Sequence, residues 1–104
     1  MLTREVAIDT AEKFISEIKK LGYNPEQAYI FGSVISGNIH KYSDIDLALW
    51  DKMFTGALPF DIEKLSSLLL KFRTIELHTN PANETEDQNP FIEVIKKTGV
   101  KIRL

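Results

Sequence analysis

Two segments decide how this chain reads: Phe31-Gly32-Ser33-Val34-Ile35-Ser36-Gly37, and Tyr42-Ser43-Asp44-Ile45-Asp46-Leu47-Ala48-Leu49-Trp50. In the first, a strand over residues 27–31 runs into Gly32-Ser33, and Gly37-Asn38 breaks the short helix or loop that follows. Glycine lets a backbone approach a ligand closely. A helix opening at this turn would offer its free N–H groups and the Ser33 hydroxyl to a phosphate. The second segment predicts a strand over residues 44–50. Side chains alternate along a strand, so Ile45, Leu47 and Leu49 face one way and Asp44 and Asp46 the other. Two carboxylates on one face repel, and a hard divalent cation between them relieves that repulsion. Magnesium suits such a place, because it takes one or two carboxylates together with substrate phosphates.

Working outward, residues 1–22 predict a helix. Ala7, Ala11, Phe14, Ile15, Ile18 and Leu21 recur at three- and four-residue steps, with Thr3 as N-cap and Gly22 as the stop. Asn24-Pro25 marks a turn. Residues 51–60, with Gly56 and Pro59, read as a loop. A second helical period runs through Ile62, Leu65, Leu68, Leu69 and Phe72, with Asp61 as its cap. Residues 73–79 alternate again, Ile75 and Leu77 against Glu76 and His78, so Glu76 faces away from the apolar side. If this strand neighbours residues 44–50, Glu76 joins Asp44 and Asp46 on one sheet surface. A polar loop over 80–89 leads to a last helix with Pro90 at its first position. Gly99 closes that helix, and Val100, Ile102 and Leu104 alternate with Lys101 and Arg103 in a final strand. Helices and strands alternate throughout. The expected fold is therefore α/β (α+β), a small mixed sheet with helices packed on it, in a single domain over residues 1–104.

Composition narrows the function classes. The chain has 104 residues, 43% hydrophobic and 27% charged, an ordinary globular balance. The formal net charge of −2 disfavours a protein that coats nucleic acid. There is no cysteine, which removes disulfides, thiol catalysis and cysteine-ligated metals. No apolar run approaches the ~20 residues of a membrane span. MLTREVAIDT carries no hydrophobic signal segment, so the expected location is cytoplasmic.

Taken singly, a Gly-Ser pair is ordinary turn punctuation, Asp-x-Asp an ordinary solvated strand face, and a strand Glu an ordinary surface residue. The combined spacing is less ordinary. Gly32-Ser33, ten residues and Asp44-Ile45-Asp46 should coincide by chance in roughly one chain per thousand of this length. That spacing resembles the signature of the DNA polymerase β-like nucleotidyltransferase superfamily, and the surrounding residues look like its minimal (MNT) branch. The order of helix, strand, Gly-Ser turn, acidic strand, helix and further acidic strand extends the resemblance over essentially the whole chain.

The resemblance implies nucleotidyl transfer from a nucleoside triphosphate, ATP by preference, to a hydroxyl. It implies nucleotide binding at Gly32 and Ser33, and Mg2+ held by Asp44, Asp46 and Glu76, which are also the implied catalytic residues. Glu76 stands where family members often have Asp, and Ser36 where they often have Arg or Lys, with His40 and Lys41 nearby as stand-ins for that charge. Small members of this branch pair with a helical HEPN-type protein, adding AMP to a tyrosine of that toxin. The implied partner is such a protein, with self-association left open. The alternative is an antitoxin-like binding protein of the same fold that neutralises a HEPN-type partner by contact, with little or no catalysis. His78, two residues after Glu76, reads as support for a metal-bound carboxylate, as a phosphate contact, or as a partly exposed strand histidine. Trp50 and Phe54 read as core aromatics before they read as base-stacking or partner-contacting ones. Ser43 reads as a residue that orients Asp44 or simply begins the strand.

Overall fold

Ala7, Ala11, Phe14, Ile15 and Ile18 form the buried stripe of helix α1 (Arg4–Lys20) in the computed structural model of the chain, which describes residues 2–37 and 44–104. The Thr3 hydroxyl accepts the Val6 N–H at 3.1 Å and so satisfies one of the free donors at the helix start. At the other end, Lys19 and Lys20 occupy the last turn, where positive charge is favoured. Gly22 follows at φ +99. The chain then enters β1 (Gln27–Phe31), the four-residue helix α2 (Ser33–Ser36) and β2 (Ile45–Asp51). His40, Lys41, Tyr42 and Ser43 lie outside the described residues.

Four strands make one sheet in the order β3-β2-β1-β4, with β3 at Ile75–Pro81 and β4 at Val100–Lys101. β1 runs antiparallel to both β2 and β4, and β2 runs parallel to β3. A parallel pair needs a crossover. Here it is α3 (Leu58–Asp61), a 3-10 turn at Glu63–Leu65 and α4 (Ser66–Lys71). After β3, α5 (Phe91–Thr98) returns the chain to β4.

The sheet is covered on both faces. Ile45, Leu47, Leu49, Ile75 and Leu77 pack with Ala7, Phe14, Ile18 and Leu68 in the larger core cluster. Phe31, Ala48 and Trp50 pack with Ile92 and Ile95 of α5 in a second one. Asp46 and Glu76 belong to this second face by alternation. Trp50 and Phe54 are buried, as core aromatics should be. No helix among the described residues is long and apolar enough to cross a membrane.

Several sequence expectations shift. The acidic strand spans residues 45–51 rather than 44–50, and the third strand 75–81 rather than 73–79. The loop expected over 51–60 contains α3, and the helix expected over 62–72 is split into a 3-10 turn and α4. Asp61 is not a helix cap. It ends α3, is buried, and accepts hydrogen bonds from the loop behind it. Pro90 is the N-cap of α5 instead of its first residue. The last strand is short, although Ile102 N–H still reaches the Ala28 carbonyl at 2.8 Å.

Candidate functional site

Strand register builds the site. Phe31 of β1 lies opposite Asp46 of β2, and Asp46 lies beside Glu76 of β3. The next row on the same face is Tyr29, Ala48 and His78. Glu76 and His78 share a face because they are two apart on a strand, and Ile75 and Leu77 point into the opposite core. One ligand atom from each of Asp46, Glu76 and His78 lies within 4.8 Å of the other two, the one such group of three among the described residues. His78 Nε2 stands 3.2 Å from Asp46 Oδ1. Its ring meets Phe31 edge-on at 4.9 Å, and Phe31 in turn meets Phe91 at 5.6 Å. The imidazole is therefore held from two sides.

The acids act on each other. A side-chain hydrogen bond with Asp46 pushes the Glu76 carboxyl above the usual carboxylate range. Burial and the Asp46 charge push the same way, and Asp44 adds a smaller push, while His78 pulls it down.

Gly32 completes the site from β1. It caps α2 at φ +82, a conformation that suits glycine. A Cβ on Gly32 would collide with Asp46 Oδ2 and lie 3.2 Å from Asp46 Cγ. The motif glycine and the motif aspartate therefore require one another: the turn passes so close to the carboxylate that no side chain fits between. The Ile35 and Ser36 N–H groups bond back to the Gly32 carbonyl at 3.1 and 3.0 Å, which closes the tight turn. Gly37 ends α2 in a left-handed conformation. From α1, Arg4 Nη2 donates to the Ile35 carbonyl at 2.9 Å and ties the two helices together.

The structure thus brings Gly32, Asp46 and Glu76 together, with half-buried Ser33 following Gly32 at the start of α2. Asp44 is exposed one residue ahead of β2 and is not part of the 4.8 Å group, although its charge reaches Glu76. Ser36 is exposed at the end of α2. His78 reads from the sequence at most as support for the acids or as a phosphate contact, and the structure places it in the group itself. Its i, i+2 relation to Glu76 is visible in the chain, but its approach to Asp46 depends on the β2–β3 register.

A cleft of about 220 Å3 opens beside the acids, lined among others by Glu76, His78, Asn80, Leu58 and Phe91. A larger hollow of about 540 Å3, lined by Lys52, Phe54, Pro81 and Asn83, lies at the far end of β2 and β3 and contains no motif residue. Size alone would choose the second. The chemistry chooses the first, because Glu76 and His78 line it and both lie against Asp46. At the far end, Asp51 accepts the Asn24 and Met53 N–H groups, each at 2.8 Å. Asp61 accepts the Thr55 N–H and hydroxyl, the Gly56 N–H and the Thr79 hydroxyl, all within 2.7–2.9 Å.

The donor set of the acid cluster, carboxylate oxygens with an adjoining imidazole, suits a divalent cation. Comparison with known proteins agrees with the architecture. Residues 12–102 match the family described as Polymerase beta, Nucleotidyltransferase. The crystal structure of a protein proposed to be a nucleotidyltransferase from Sulfolobus solfataricus superposes with a TM-score of 0.62 at 20% identity, covering 94% of this chain and 80% of that one. That likeness is one of fold. A search of curated proteins returns no match.

Proposed function

Because the chain belongs to the polymerase β nucleotidyltransferase family, we propose that it transfers AMP from ATP to a hydroxyl acceptor, using Mg2+ held by Asp44, Asp46 and Glu76. The observation that carries this reading is the parallel register that sets Glu76 beside Asp46, with Gly32 packed against the same carboxylate. Mg2+, when bound, supplies positive charge that polarises the α-phosphate and neutralises the departing pyrophosphate.

The chain's own residues do the positioning. The Gly32-Ser33 turn brings backbone and a hydroxyl alongside the acids, so phosphates resting there lie next to the cation site. Asp46 is fixed by strand pairing on both sides and by His78. Little is then left to be ordered when substrate arrives. The acceptor oxygen attacks the α-phosphorus and forms a new O–P bond. The bond from that phosphorus to the bridging oxygen breaks, and pyrophosphate leaves with the electron pair. The acceptor's proton passes to the Glu76 carboxylate.

The acceptor proposed first is a tyrosine hydroxyl on a helical HEPN-type partner, as the resemblance implies. The experiment is incubation with α-labelled ATP, Mg2+ and a helical HEPN-type protein, sought first in the adjacent reading frame. Label should move to that protein with the wild-type chain and should be lost in the Asp44→Asn/Asp46→Asn variant. Failure of the wild-type chain to label any hydroxyl acceptor, while it still forms a tight complex with the partner, would replace this reading with neutralisation by contact.

A further inference from the structure

We propose that His78 is a direct ligand of the site's cation, completing an Asp46–Glu76–His78 donor set, and that this chain consequently prefers a first-row transition ion such as Mn2+ to Mg2+. The inference rests on the cation site proposed above, adds His78 to its ligands, and leaves Asp44 as a nearby charge beyond the three-residue group.

Three observations carry it. First, the residues whose ligand atoms gather within 4.8 Å are Asp46, Glu76 and His78, whereas Asp44 stands outside. Donors that share one ion at about 2.0–2.2 Å lie roughly 3–4 Å apart. An ångström or less of side-chain adjustment would close the set.

Second, the imidazole is pre-aimed. His78 pairs across the sheet with Ala48, whose small side chain leaves space beside it, and Phe31 packs against the ring edge-on. Nε2 is thereby turned toward Asp46 at 3.2 Å. The His78 side chain keeps 35% of its surface exposed and Asp46 keeps 22%, so an ion can reach both.

Third, the chemistry of the set discriminates between ions. Mg2+ favours oxygen ligands, demands near-ideal octahedral geometry and gives up water reluctantly. An imidazole nitrogen suits first-row transition ions. Carboxylate oxygens suit Mg2+ and Mn2+ alike, and an added imidazole tilts the preference toward the transition ion.

The test uses Mn2+ alone with the intact chain. Pulsed EPR of bound Mn2+ should show nitrogen modulation from a directly coordinated imidazole in the wild-type protein, absent in His78→Gln. Calorimetry should give Mn2+ at least about tenfold tighter than Mg2+ in the wild type, and that gap should shrink to within about threefold in His78→Gln. A wild-type spectrum without nitrogen modulation, from Mn2+ whose binding is still lost in Asp46→Asn, overturns the inference. In that case His78 only orients Asp46, and the oxygen-ligated cation site stands. Absence of any Asp46-dependent Mn2+ or Mg2+ binding overturns this inference and the cation site together. The wild-type spectrum decides the matter even if a variant folds poorly.

Discussion

Strand β2 carries an aspartate near each end, and the two live in opposite surroundings. Asp51 is buried and accepts two backbone N–H groups, and nearby Asp61, also buried, accepts four donors. Burial pushes the Asp61 carboxyl up, but the bonds from Thr55, Thr79 and Gly56 outweigh it and hold the group below the usual range. At the other end, Asp46 faces a second acid, and Glu76 is driven up instead. One end of the strand gives its carboxylates all the donors they need. The other sets Glu76 beside Asp46, with the partly exposed His78 against them. A satisfied carboxylate stabilises a fold, whereas a crowded and accessible one is available for a ligand.

Substitution at each end should separate these roles. Asp46→Asn is expected to lower transfer of label from ATP by about 100-fold or more, since it removes a charge that holds the cation. Its thermal midpoint should change little, because the relieved repulsion with Glu76 offsets the weakened contact with His78. A large loss of stability in this variant would erase the contrast. Asp61→Ala should do the reverse. It strands several donors in a buried loop and should cost about 2–4 kcal/mol in urea unfolding.

Gly32→Ala tests the contact between turn and acid. The added methyl meets Asp46 at a positive φ, so we expect a loss of about 1–3 kcal/mol with activity falling alongside. Gly22, the glycine at φ +99 that follows α1, is different: a Cβ there would meet no atom within 4 Å. Gly22→Ala should therefore cost less, through backbone conformation alone.

The smallest effects lie in the pH dependence of stability, and they have opposite signs. Asp61 binds a proton less readily folded than unfolded. Its contribution is present above the ordinary value of 3.8 and is lost as the pH falls through its lower folded value. Glu76 binds a proton more readily folded than unfolded. Its contribution is present below the ordinary 4.5 and is lost as the pH rises through its higher folded value. Urea titrations across this range should show Asp61→Asn flattening the acid limb and Glu76→Gln flattening the decline above it. Because Glu76 is exposed, its share should be the lesser one.

Much of the fold is legible in the residues. The apolar period of α1, its Thr3 cap and the alternation of Ile45, Leu47 and Leu49 are local properties, and local geometry alone decides them. The spacing from Gly32-Ser33 to Asp44-Ile45-Asp46 is enough to point to the family. Asp61 reads wrongly as a cap because a helix-capping aspartate and a loop-anchoring one look the same in sequence. What separates them is Thr79, a residue 18 positions away. The split of the helix expected over 62–72 is likewise invisible to a period count that tolerates one distorted turn.

By itself, the sequence determined which residues carry charge, which faces are apolar, and that a glycine turn precedes an acidic strand. Those follow from side-chain chemistry and from the fixed periods of helix and strand. Tertiary structure alone decided that β2 and β3 run parallel with Asp46 beside Glu76, that His78 rather than Asp44 closes the group, and that Gly32 has room for no side chain. Pairing register and packing between distant segments are properties of the assembled sheet. A shift of one residue in that register would have sent Glu76 and His78 to the opposite face.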